Sequence, residues 1–204
     1  TAPSPSEYRA PQPAKTIDAE RFYTGRWLEI ARLPMGMTDG CVAGASNYTL
    51  VGETRVDVRD TCQVGTPQGK ERAIGGCGQI MDPGTNAKMR VRYLAGFVTW
   101  DYWVLDRADD YSWFISADPT MERLFIYTRD LPTEGEVRVL TERARALLKG
   151  IPELKQVYTA VGSVLDLGDP STTGVADARK ATLVLDWGAA NTRKREQRAL
   201  ERDA

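Results

Sequence analysis

The feature that most constrains this chain is a series of short strand-like segments joined by links that are too short for helical crossovers. Most of the segments are rich in β-branched and aromatic residues and are bounded by turn residues. The eight segments cover residues 26–33, 45–51, 54–62, 70–81, 87–94, 101–107, 111–117 and 123–129. Because parallel strands need long connections, the short links predict an antiparallel, up-and-down β-barrel. Eight such strands enclose a space that just holds one small ligand.

Alternation within two segments predicts which side chains line the barrel. Val56 and Val58 alternate with Asp57 and Arg59, and residues 87–94 alternate in the same way. Successive side chains of a strand point to opposite faces, so the apolar members belong inside. This inward set is Val56, Val58, Met89, Val91 and Tyr93. A lumen of this kind favours an apolar ligand, although a barrel filled by its own side chains would have the same pattern.

One amphipathic helix is predicted after the last strand. Thr133 and Glu136 have the spacing of a capping box. The apolar residues that follow share one helix face, namely Val137, Leu140, Ala144, Leu147 and Leu148. A helix with one apolar stripe has one surface to bury, so we expect it on the outside of the barrel.

The two ends of the chain differ in composition from the barrel segment at 16–161. Residues 1–15 contain four prolines and little that can form a core, which predicts a flexible leader. Residues 162–204 predict an extension made of a linker and a polar helix. That helix is either a basic arm for RNA or an anionic membrane surface, or a solvated helix with internal ion pairs. We favour the solvated helix, because acidic residues interleave with the basic ones.

The chemistry available to the chain is limited, because it contains no histidine. Ser-His and Cys-His pairs are excluded, and so are histidine-containing zinc sites. No phosphate-binding loop is present, and a net charge of -1 disfavours nucleic acid as a partner. A carboxylate acid–base pair is the remaining catalytic alternative. The sequence therefore predicts a protein that is not an enzyme and has no metal and no cofactor.

Three cysteines allow one disulfide and one free thiol, or three small buried residues. If Gly52 and Glu53 form a two-residue turn, Cys62 falls opposite Ala43, within two residues of Cys41. That separation is compatible with a disulfide. We therefore favour a Cys41–Cys62 pair, with Cys77 free.

Three motifs resemble those of the lipocalin family, and they occur in the same order. Residues 23–32 (YTGRWLEIAR) resemble its Gly-x-Trp segment, residues 101–106 (DYWVLD) its Asp-Tyr motif, and residues 128–130 (TRD) its third motif with an arginine. The resemblance covers about residues 16–160. Within the family, the chain resembles the bacterial outer-membrane lipocalins.

The resemblance implies roles for individual residues. Gly25, Trp27 and Arg129 are expected to close one end of the barrel, with the arginine stacked on the tryptophan. Arg129 then faces inward, and so should Phe125 and Tyr127, which alternate with it on the same strand. The same alternation on the other strands completes the expected ligand-binding set with Tyr48, Tyr102, Val104, Trp113 and Ile115. We also expect the open end near residues 35–37.

The resemblance also implies a function. It is the binding and transport or storage of a small hydrophobic ligand, such as a fatty acid or lysophospholipid. The protein is then expected to be exported to the periplasm or outer membrane, where it would be a lipoprotein or a peripheral membrane protein, or to an organelle lumen. The alternative is an accessory subunit that docks in a membrane-associated complex through residues 162–204.

Overall fold

The computed structural model describes residues 4–33, 40–65, 69–130, 132–149, 159–161 and 183–186. Eight strands in these ranges form the barrel: β1 (Thr24–Arg32), β2 (Cys41–Val51), β3 (Arg55–Val64), β4 (Glu71–Ile80), β5 (Lys88–Tyr93), β6 (Val98–Arg107), β7 (Trp113–Ala117) and β8 (Leu124–Thr128). The same ranges contain two α-helices, α1 (Ala19–Phe22) and α2 (Glu134–Lys149), and two short strands, β9 (Thr159–Val161) and β10 (Leu183–Asp186).

Each barrel strand pairs antiparallel with the next one along the chain. β1 pairs with β2 on one edge and with β8 on the other, which closes the barrel. β10 adds to β1 in parallel, and β9 pairs with β10. The predicted eight-stranded, up-and-down barrel is confirmed, and the polar helix predicted near the C-terminus lies outside the described residues.

Helix α2 covers the outside of the barrel, as predicted. Its N-terminus has the expected capping box, in which the Thr133 amide donates to Glu136 and the Glu136 amide donates to Thr133 Oγ1. The apolar face packs on an outer hydrophobic cluster through Val137, Leu140, Ala144 and Leu147. None of the described helices has the length and apolar content needed to cross a membrane.

Residues 8–10, which belong to the segment 1–15 predicted to be a flexible leader, pack on the barrel. The Tyr8 ring lies edge-on to Trp103 at 5.2 Å between centroids, and Ala10 is buried beside it. The amides of Arg9 and Ala10 both donate to the Pro119 carbonyl. A few apolar side chains are enough here, because they pack against the Trp103 ring on the outer face of β6, and that ring is buried.

The hairpin of β2 and β3 differs from the predicted register. Val51 pairs with Arg55, so the connecting loop has three residues rather than two. A bulge between Val42 and Ala45 then shifts the strands by one residue. The shift brings Cys41 and Cys62 together with their Cα atoms 5.5 Å apart, and the predicted disulfide is confirmed. Cys77 is free and exposed.

Candidate ligand-binding cavity

The closed end of the barrel is sealed by aromatic residues around Trp27. The Arg129 guanidinium lies 3.6 Å from the centroid of the Trp27 ring. It also donates hydrogen bonds to four backbone carbonyls, those of Arg21, Phe22, Thr24 and Arg26. Gly25 has a positive φ of 85°, and a side chain there would meet the same guanidinium. These contacts hold helix α1 across the closed end of the barrel as a plug. The sequence analysis did not predict this helix.

The half of the lumen above this plug is filled by side chains. Six of the predicted ligand-binding residues are buried there in one cluster: Tyr48, Val56, Val58, Met89, Val91 and Val104. Two glycines of β4 make room for them. A Cβ at Gly76 would lie 2.6 Å from Val91 Cγ1, and a Cβ at Gly78 would lie 2.8 Å from Met89 Sδ. This half of the barrel is therefore solid.

The other half holds a cavity of about 290 Å³. It lies toward the end of the barrel where strands β1, β3, β5 and β7 finish. Most of its wall is apolar, with Ile74, Leu94, Trp100 and Phe125 around it and the Cys41–Cys62 disulfide on one side. The expected rim at residues 35–37 lies outside the described residues.

The inner end of the cavity is polar and is organised by Asp60. Ser46 Oγ donates to Asp60 Oδ1 at 2.6 Å, and the Tyr93 hydroxyl donates to Oδ2 at 2.7 Å. Because this uses the Tyr93 proton, the Tyr102 hydroxyl, at 3.1 Å, is the donor to Tyr93. The Tyr127 hydroxyl lies 3.4 Å from Ser46 Oγ. We call these five residues the polar floor.

Burial changes the acidity of the polar floor. It raises the pKa of Asp60 to about 6, and the hydrogen bonds from Ser46 and Tyr93 oppose that rise. Burial also raises the pKa of Tyr93, Tyr102 and Tyr127 well above the usual tyrosine value. At neutral pH the floor therefore presents one carboxylate among neutral hydroxyls.

Two arginines also line the cavity. Arg32 is almost fully buried and forms an ion pair with Glu29 at 2.6 Å, and it donates to the Cys41 carbonyl. A bulge in β1 between Glu29 and Ala31 places Glu29 and Arg32 on the same face. Arg72 is exposed on the cavity wall. Within the described residues, no group of histidine, cysteine or carboxylate side chains suits a metal ion.

The class of the protein follows from the comparison with known families. Residues 17–157 match the family described as the lipocalin-like domain. The chain belongs to the lipocalin family.

Three known proteins illustrate the similarity. Temperature-induced lipocalin-1 of Arabidopsis thaliana is 31% identical over 148 residues, which cover 68% of this chain and 77% of that protein. A lipocalin of Acanthamoeba polyphaga mimivirus is 32% identical over 84 residues, or 41% of this chain and 43% of the viral protein. Insecticyanin of the tobacco hornworm Manduca sexta has the same fold, with a TM-score of 0.52, 19% identity and coverage of 75% of this chain and 82% of its own.

The lipocalin cavity contains only part of the predicted ligand-binding set. Tyr93, Tyr102, Phe125 and Tyr127 line it. Trp113 and Ile115 do not face inward, and that prediction is wrong. Both lie in the outer cluster under helix α2, while Phe114 of the same strand points into the barrel. Every residue of β7 from Phe114 to Ala117 is buried, because the helix covers its outer face, so the strand has no alternation to interpret.

Sequence reasoning missed several cavity residues of this lipocalin. Asp60 continues the inward parity of Val56 and Val58, and that signal was present in the sequence. Glu29 and Arg32 lie an odd number of positions apart, and only the bulge puts them on one face. Ile74, Leu94 and Trp100 were also missed, since they lie beside glycines or a loop where the alternation is interrupted.

Proposed function

We propose that this lipocalin binds one small, mainly hydrophobic ligand in the open half of its barrel and stores or transports it. The observation that carries the proposal is the cavity of about 290 Å³ with apolar walls above a solid closed half. Burial of an apolar ligand there contributes about 25 cal/mol for each Å² of surface removed from water.

The size of the cavity supports a ligand smaller than a lysophospholipid. Its volume is at the lower end for ligand pockets, and it has room for roughly ten to fifteen non-hydrogen atoms. A long acyl chain would have to extend past Leu94 and Trp100 into solvent. The fatty acid or lysophospholipid implied by the family resemblance is therefore a weaker proposal than a compact ligand.

We also propose that the protein works outside the reducing cytosol. The Cys41–Cys62 disulfide supports an oxidising compartment such as a periplasm or an organelle lumen. Attachment to an outer membrane as a lipoprotein is a further proposal that rests on the sequence resemblance. The alternative role as an accessory subunit depends on residues 162–204, which lie almost entirely outside the described residues.

Calorimetric titration with 4-phenylbutanol tests the proposed function. This neutral ligand combines an apolar body of suitable size with one hydroxyl. Ile74→Trp is the informative variant, because Ile74 lies on the cavity wall in register with Asp60. A tryptophan there fills the space that the ligand needs. Met81→Trp, at an exposed position beyond the end of β4 and away from the cavity, is the matched control.

We expect the native protein and Met81→Trp to bind the alcohol with one site and similar affinity. Ile74→Trp should weaken binding by about tenfold or more, since the apolar contact area is lost. Binding that is unchanged in Ile74→Trp, or absent from the native protein, would contradict the proposed function.

A further inference from the structure

The polar floor contains an anionic group that has only part of its hydrogen-bonding capacity used. A carboxylate offers about four acceptor positions, and Ser46 and Tyr93 occupy two on Asp60. Among the residues that the structure describes, no lysine or arginine nitrogen lies within 4.0 Å of this carboxylate. Asp60 also lines the cavity, at the polar floor where the inner end of a ligand would lie.

The other charges in the cavity do not neutralise Asp60. Arg32 and Glu29 are engaged with each other at 2.6 Å. Arg72 lies on the wall of the outer part, where it is exposed to solvent. The remaining titratable groups that face Asp60 are the hydroxyls of Tyr48, Tyr93, Tyr102 and Tyr127, which are neutral.

We propose that this cavity selects ligands with a protonated amine at their inner end, held by Asp60, and an apolar body packed against Ile74 and Trp100. The inference rests on the proposed function and adds the chemical class of the ligand. An ammonium group is a donor with a positive charge, and such charge-assisted bonds to a carboxylate are roughly twice as strong as neutral ones.

Other head groups fit the polar floor less well. A carboxylate would lie against Asp60 and be repelled, and an apolar chain end would leave the Asp60 acceptors desolvated without a partner. A neutral hydroxyl is accepted but gains no charge interaction. The floor therefore distinguishes ligands of the same shape by the charge of their inner end.

A matched series of 4-phenylbutylamine, 4-phenylbutanol and 4-phenylbutyrate tests the proposal by calorimetry at pH 7.5. The three molecules share one apolar body and differ in head group. Asp60→Asn removes the charge and keeps the size. Asp57→Asn is the control, because Asp57 lies on the same strand, faces solvent and pairs with Arg55.

We expect the amine to bind the native protein about tenfold to hundredfold more tightly than the alcohol, and the carboxylate to bind most weakly. The preference for amine over alcohol should disappear in Asp60→Asn and persist in Asp57→Asn. Equal binding of amine and alcohol by the native protein would overturn the ammonium proposal and leave the proposed function intact. A failure of all three ligands to bind would contradict the proposed function itself.

The pH dependence provides a second readout that does not need a variant. Amine binding requires ionised Asp60, whose pKa is about 6 in the empty protein. Affinity for the amine should therefore fall by about tenfold for each pH unit below about 6, while affinity for the alcohol changes little. Parallel profiles for the two ligands would overturn the proposal.

Discussion

Asp60 is a carboxylate inside a barrel, where its negative charge opposes folding. Burial raises its pKa from the ordinary 3.8 to about 6, so the folded protein binds this proton more tightly than the unfolded chain does. The stability of the empty protein should therefore decrease as the pH rises from about 4 to about 6, and this contribution should then stay constant. A cationic ligand would offset the same cost.

The variant Asp60→Asn isolates this effect in the empty protein. It should be more stable than the native protein at pH 7.5 and lose most of that advantage at pH 4.5. The difference between the two pH values is about 3 kcal/mol at most, since each pKa unit corresponds to about 1.4 kcal/mol. Urea unfolding of both proteins at each pH measures it. The same pH dependence in both proteins would show that Asp60 is not desolvated.

Strand β4 is rich in glycine because side chains of the neighbouring strand β5 occupy the space next to its inner face. Gly76 lies under Val91 and Tyr93, and the position of Tyr93 in turn sets its hydrogen bond to Asp60. Glycines inside a strand often mark a bend or a bulge. The structure gives a different reason for Gly76 and Gly78, which is the space that the facing side chains need.

The variant Gly76→Ala tests that reason. A Cβ would lie 2.6 Å from Val91 Cγ1 and 2.9 Å from Tyr93 Cε1, so the side chains must move. We expect a loss of about 1–3 kcal/mol in the free energy of unfolding, as for other overpacked cores. Gly75→Ala is the control, because the nearest atom to its new Cβ is 4.0 Å away. Equal stability of the two variants would contradict the packing argument.

The limits of sequence reasoning also appear at the level of the strand. All eight barrel strands and helix α2 were predictable, because turn residues and apolar periodicity mark them. It was not predictable which side chains of β1 and β7 point into the barrel. A bulge in β1 reverses the parity that places Arg32, and the burial of β7 on both faces hides which of Trp113 and Phe114 points inward.

The whole barrel divides into a part that maintains the fold and a part that is available to a ligand. The closed half is sealed by Trp27 and Arg129 and filled with side chains, while the open half contains the cavity. The alternation of side chains along the strands predicted many of the residues that face the lumen, but not where the filled half ends and the cavity begins. That boundary depends on side-chain volumes across several strands, which become neighbours only in the folded barrel.

Native mass spectrometry of the protein purified from its own host tests the central claim most directly, with Ile74→Trp purified in parallel. We predict that the native protein carries one small molecule with a basic nitrogen, which is lost on denaturation, and that Ile74→Trp carries none. A native protein without a bound small molecule, or the same molecule retained by Ile74→Trp, would contradict a ligand in this cavity.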